Sequence, residues 1–300
     1  MFDTLVLSSG GIYCSIQLGG LLALEKYMNI NKIKTLIGCS GGGFIAFLLI
    51  IGYKPEELIK LILEYDISSL FTIKIFNIFN KFGFNNFEKF KSILKIMLIK
   101  KNLSINITFR ELYNINKQSL ILIGSNLTKK SIAIFSNETT PNFSIITAIQ
   151  ITCCIPVIYE PIIYNNDYYV DGALFSSYPM FLSKSKNTLG LCIKNKNINP
   201  TIHNLYDYIS LFLKLLIKEN DYELNEYTQN TVEFNINNSN LSFSLKKSEI
   251  LNLIKEGYKI TKEYLIDYFK SKNKRNILKK YFKIILKNKI YKLSKKKSII

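Results

Sequence analysis

The stretch that most constrains this 300-residue chain is Gly38-Cys39-Ser40-Gly41-Gly42. An apolar run, Ile33-Lys34-Thr35-Leu36-Ile37, precedes it, and a longer one, Phe44 to Ile51, follows. That order reads as strand, sharp turn and helix, with a serine at the apex. A G-x-S-x-G turn in this setting is a nucleophile elbow. The glycines allow backbone segments to approach where a Cβ would clash. The turn lifts the Ser40 hydroxyl clear of the sheet and sets it at a helix N-terminus, where developing negative charge is favoured. The run 33–53 is long and apolar, but Gly38 and Gly41-Gly42-Gly43 break it, so strand plus helix is expected rather than a membrane span.

The remaining pattern alternates strands with helices. Strands are expected at 4–8, 33–37, 120–124, 130–135, 157–164, 168–170, 189–193 and 231–236. Helices are expected over 13–28, 42–52, 55–65, 145–151, 202–218 and 247–268. Residues 66–100 read as mainly helical, with loops at Ser68-Ser69 and at Gly83-Phe84-Asn85-Asn86. Such alternation argues an α/β layered fold around a mainly parallel sheet. The five cysteines are irregularly spaced, with no C-x-x-C. They point to a reducing compartment rather than a disulfide framework or zinc site. Nothing at the start of the chain resembles a signal peptide, so an intracellular protein, cytoplasmic or peripheral to a membrane, is expected.

The net charge of +18 is unevenly placed: residues 271–300 carry twelve of the forty Lys and Arg and no Asp or Glu. The composition breaks near residue 270, which divides the chain into a body, 1–270, and a basic helical tail, 271–300. Ile277, Leu278, Tyr281, Phe282, Ile285 and Leu286 recur at helical spacing between lysines. A basic amphipathic helix suits an anionic lipid surface. No reading motif accompanies the charge, so a nucleic-acid partner is not expected.

Two further motifs share the chemistry of Ser40. Ser9-Gly10-Gly11-Ile12 follows the first strand, where glycines can expose backbone N–H donors to an oxyanion. It lacks the dinucleotide pattern G-x-G-x-x-G. Tyr169-Val170-Asp171-Gly172-Ala173 ends a β-segment on an aspartate, although Asp-Gly is also a common turn pair. A serine nucleophile needs a base. The lone histidine, His203, would complete a triad in the order Ser40, Asp171, His203. It sits in a helix-start loop, however, and only one strand–helix unit precedes the elbow, so a solvent-facing histidine is the simpler reading.

Together these residues make the chain resemble the patatin-like phospholipases, lipid acyl hydrolases that use a Ser–Asp dyad. The elbow matches in full, including Gly38 and Gly42. The D-G-[GA] motif matches at Asp171, Gly172 and Ala173, with Tyr178-Pro179 after it. The glycine-rich motif, about G-G-G-x-[RK]-G, matches Ser9 to Cys14 with departures: Ser9 replaces the first glycine, and Tyr13-Cys14 replace the basic residue and last glycine. The resemblance implies a three-layer α/β/α fold and a carboxylic ester hydrolase of phospholipase A type. It implies Ser40 as nucleophile, Asp171 as base, and an oxyanion hole from Gly10, Gly11 and Ile12. It also implies a phospholipid or other acyl-lipid substrate and neither metal nor organic cofactor. The departures leave open a catalytically inactive lipid-binding protein of the same fold, and an acyltransferase shares the same first chemical step.

Overall fold

The computed structural model describes residues 1–65, 77–195, 230–236 and 245–296, together with Tyr208, Leu211 and Phe212. His203 and most of the helix expected over 202–218 lie outside the described residues.

Strand β1 (Thr4–Leu7) is buried along its whole length, as a central parallel strand must be. A 3-10 turn over Gly11–Cys14 leads into α1 (Ser15–Glu25). Strand β2 (Thr35–Gly38) runs into α2 (Ser40–Ile50), which is apolar on nearly every face and correspondingly buried. Pro55 opens α3 (Pro55–Glu64), where Glu57 accepts the Lys54 N–H at 2.7 Å. Then come α4 (Asn77–Lys81), β3 (Gly83–Asn85) and α5 (Glu88–Lys100). A Thr108–Glu111 capping box starts α6 (Phe109–Asn116), and Lys117 in the left-handed region ends it. Strands β4 (Ser119–Asn126) and β5 (Ser131–Phe135) form a hairpin. Ser144 caps α7 (Ile145–Thr152) through the Thr147 N–H. Strands β6 (Val157–Tyr159), β7 (Ile162–Tyr164), β8 (Asp167–Asp171), β9 (Thr188–Asn195) and β10 (Thr231–Ile236) complete the strands among the described residues. Helix α8 (Lys247–Lys296) is the last element among the described residues, and residue 270 falls inside it without a break.

The main sheet has the order β10-β9-β1-β2-β4-β8-β7, with β5 also on β4. The five strands from β10 to β4 are mutually parallel, whereas β5, β7 and β8 join by antiparallel pairs. The β7–β8 turn places Asn165 and Asn166 at positive φ, the tight-hairpin geometry that Asn tolerates. Alternation along the strands builds two cores. Leu5, Leu7, Leu36, Leu120 and Leu191 face α1, α2 and α7, while Val6, Ile37 and Cys192 face Tyr178 and Met180 on the other side.

Helix α8 packs on α1 at near backbone contact. A Cβ on Gly19 would lie 1.9 Å from the Ile254 carbonyl oxygen, and one on Gly257 equally close to that of Ile16. Phe2 and Tyr27 extend this seam by ring contacts with Tyr268 and Phe269. None of the five cysteines is in a disulfide.

Two expectations are corrected. The segment read as a loop at 83–86 contains β3, which pairs in parallel with β6 in a separate two-stranded sheet. The segment read as one strand over 157–164 is two. It breaks at Glu160-Pro161, because proline cannot donate to a ladder and its residues turn from β3 to β8.

Candidate active site

The C-terminal ends of β1, β2 and β4 meet at one edge of the sheet, the usual place for a site in an open α/β fold. From β1 the chain enters the loop Ser8–Gly11, from β2 the elbow, and β8 arrives beside β4 with Asp171 opposite Gly124.

Ser40 has φ 51, the strained left-handed conformation of a nucleophile turn. Its N–H, turned away from the helix ladder, donates to Thr152 Oγ1 at 3.0 Å. The crowding beneath the turn excludes any side chain: a Cβ on Gly42 would sit 2.3 Å from the Ser8 carbonyl oxygen. Thus α2 lies directly on the end of β1, and the glycine-rich loop is brought to the serine.

Ser40 Oγ donates to Asp171 Oδ2 at 2.6 Å. The other carboxylate oxygen accepts the Ala173 N–H at 2.8 Å and faces Cys39 Sγ at 3.9 Å. The Asp171 backbone is fixed as well. Its N–H donates to the Cys154 carbonyl at 2.7 Å, and its own carbonyl accepts from Ser125 Oγ at 2.7 Å. Asp171 is buried, and loss of hydration pushes its pKa up to about 7. The hydrogen bonds from Ser40, Ala173 and Cys39 oppose that rise only in part. A carboxyl poised near neutrality can both accept and return a proton.

Gly10 is extended, Gly11 has φ 53, and the 3-10 turn begins there. The Tyr13 N–H takes the Gly10 carbonyl at 3.0 Å; Gly11 and Ile12, at the start of the turn, have no carbonyl one turn behind them. A Cβ on Gly41 would lie 3.3 Å from the Gly11 nitrogen, which puts this loop against the residue after Ser40. Cys14 adopts ordinary right-handed dihedrals, so the side chain that replaces the last glycine adds no backbone strain. Gln17 holds the loop: its Nε2 donates to the carbonyls of Ser8 and Leu191 at 3.0 and 3.1 Å.

A cavity of about 330 Å³ opens from Ser40 and follows α2 through Gly41, Phe44, Ile45 and Leu48 to Tyr53. Its walls are apolar side chains of α3 and α5. The eight helical rises from Ser40 to Leu48 span about 12 Å. At the far end Tyr53 donates its hydroxyl to the Met97 carbonyl at 3.3 Å. There Lys101 also ties the helices, over the Tyr53 ring at 4.1 Å and beside Glu57 at 3.6 Å. Cys14 and Cys153 also line the cavity. Burial, then the neighbouring Asp171 charge, pushes both thiols up, which keeps them protonated.

Residues 5–182, more than half of the chain, match the family described as patatin-like phospholipase. The chain belongs to that family. It is 37% identical over 184 residues to a protein of Invertebrate iridescent virus 6 described as a probable lipid hydrolase. That match covers 60% of the chain and 62% of the relative, so it spans less than two thirds of the viral protein. It is also 30% identical over 281 residues to an uncharacterized protein of Acanthamoeba polyphaga mimivirus, covering 87% and 93% of the two chains. The patatin-like fold is shared with VipD from Legionella pneumophila (TM-score 0.62, 17% identity, 89% of this chain and 67% of that one). It is shared too with the type III effector ExoU of Pseudomonas aeruginosa (TM-score 0.53, 15% identity, 88% and 53%). The central sheet with helices on both sides is the expected patatin-like architecture.

Ser40, Asp171, Gly172, Ala173 and the Gly10–Ile12 loop all gather at the sheet edge. Thr152 and Gln17, which help secure them, were not singled out from sequence, and Ser125 was seen only within the family-like stretch Gly124-Ser125-Asn126-Leu127. Their polar atoms serve backbone groups of other segments, which no local pattern announces.

Proposed function

We propose that the protein is a serine lipid acyl hydrolase that cleaves fatty acyl esters of phospholipids or related lipids through a Ser40–Asp171 dyad. The observation that carries this reading is the 2.6 Å hydrogen bond from Ser40 Oγ to a buried carboxylate, at the head of an apolar cavity. Membership of the patatin-like phospholipase family and the viral relative described as a lipid hydrolase support it.

In the first step Asp171 takes the Ser40 hydroxyl proton while Oγ bonds to the ester carbonyl carbon. The oxyanion faces the N–H groups of Gly10, Gly11 and Ile12. The tetrahedral intermediate collapses, the ester C–O bond breaks, and the leaving alcohol receives the proton from Asp171. Water then gives a proton to Asp171 and attacks the acyl-enzyme. Collapse releases the fatty acid, and the proton returns to Ser40 Oγ. The chain's own residues hold every proton in transit, and the acyl tail lies along α2. The basic segment 271–300 adds attraction to an anionic lipid surface.

Fatty acid release from phospholipid in mixed micelles tests this. Release by the wild type and its loss in Ser40→Ala are expected. Binding without release would instead fit an inactive lipid-binding protein, and release only with an added alcohol acceptor an acyltransferase.

A further inference from the structure

The outward face of α5 is an uncommon surface. Along its length of about 20 Å, the inward side chains Phe90, Ile93 and Met97 line the cavity, and Leu94 and Leu98 enter the core. Ile96 and Ile99 are 53% and 60% exposed, one turn apart. Lysines surround them at 89, 91, 95 and 100, against one acidic residue, Glu88, at the start of the helix. Isolated exposed apolar side chains need no explanation. Here Ile96 lies on the rim of the cavity itself. Ile96 and Lys100 belong both to the exposed face and to the cavity lining, as does Tyr65, 53% exposed at the end of α3.

The cavity has a closed end and an open side. At Tyr53 the helices α3 and α5 are tied by Lys101, Glu57 and the Tyr53–Met97 hydrogen bond. The exposed lining residues Tyr65, Ile96 and Lys100 mark the cavity's open side. A water-soluble ester needs no apolar collar around that opening. A substrate whose acyl chains lie in a bilayer does, because every methylene that crosses water costs about 0.8 kcal/mol.

We propose that α5 is the membrane-docking face. On this reading, which rests on the lipid-hydrolase function, α5 lies in the headgroup region of an anionic bilayer. Ile96 and Ile99 enter the acyl boundary, the lysines meet lipid phosphates, and the open side of the cavity receives the acyl chain directly from the bilayer. The occupant is an anionic lipid surface rather than a protein, because the apolar centre is narrow and the charge that α5 carries around it is nearly all positive, Lys89, Lys91, Lys95 and Lys100 against Glu88.

The chain contains no tryptophan, which supplies the test. Ile99→Trp places a single reporter on α5, outside the cavity lining. Phe181→Trp places one on the opposite side of the sheet, beside Met180. Each is made in the full chain with Ser40→Ala, so that lipid stays intact, and mixed with phosphatidylcholine vesicles with and without phosphatidylglycerol. The expected result is a blue shift, and quenching by brominated acyl chains, for Ile99→Trp alone and only with the anionic vesicles. Vesicle capture without a shift at Ile99→Trp would overturn the proposal, since docking would then run through another surface such as 271–300. Equal shifts at both positions, or no capture, would overturn it too. Hydrolysis of p-nitrophenyl butyrate by Ile99→Trp with Ser40 intact confirms folding. Failure of the wild type to cleave any ester would count against the catalytic reading alone.

Discussion

The backbone N–H of Ser40 is satisfied by the side chain of Thr152, 112 residues away in sequence, at 3.0 Å. A left-handed elbow turns this donor out of the helix ladder, and both groups are buried. Thr152→Val keeps the shape and removes the acceptor. An orphaned buried N–H costs about 1–3 kcal/mol, so the melting temperature should fall by roughly 2–10 °C. Thr152→Ser, which retains the hydroxyl, should restore most of it. Calorimetry of the two variants checks this.

With Asp171 as the proposed base, its pKa, pushed up to about 7, should make activity pH-dependent. Only the ionised carboxylate accepts the Ser40 proton. The kcat/KM for a soluble ester should therefore rise about tenfold per pH unit below 7 and level off above it. A profile flat from pH 5 to 8 would contradict the role given to Asp171.

The same shift sets a stability trend of opposite sense. Between the unfolded pKa near 3.8 and the folded value near 7, the native state holds a proton that the unfolded chain has released. Stability should fall as pH rises through that window, by on the order of 4 kcal/mol in total. Asp171→Asn removes this penalty. Its melting temperature should gain on the wild type from pH 4 to 7 and then run parallel.

The elbow and Asp171 were legible because each pairs a chemical residue with a glycine turn directly after an apolar strand. The α/β class followed from the alternation of such runs. The β3–β6 pair was not legible: three-residue strands show no period. Nor were Thr152 and Gln17, which read as ordinary helix residues. Gln17 reaches the Leu191 carbonyl 174 residues away, and only folding supplies that partner.

Tyr53 closes the cavity at the end of α2. Tyr53→Ala should raise the ratio of kcat/KM for long over medium acyl chains by about tenfold, while short-chain esters react as before. A chain-length series of p-nitrophenyl esters reads this directly.

Gly42 admits no side chain, since a Cβ would meet the Ser8 and Leu7 carbonyl oxygens at 2.3 and 2.7 Å. Gly42→Ala must push α2 off β1. Loss of soluble protein, or a destabilisation above about 2 kcal/mol, is expected in chemical denaturation.

The central claim is that Ser40 is a nucleophile activated by Asp171. Labelling with a fluorophosphonate probe tests it most directly, because the probe bonds only to an activated serine. Label should appear on wild type and His203→Ala, vanish in Ser40→Ala, and nearly vanish in Asp171→Asn. A folded wild type that stays unlabelled with lipid present, or a Ser40→Ala variant that still labels, would contradict the account.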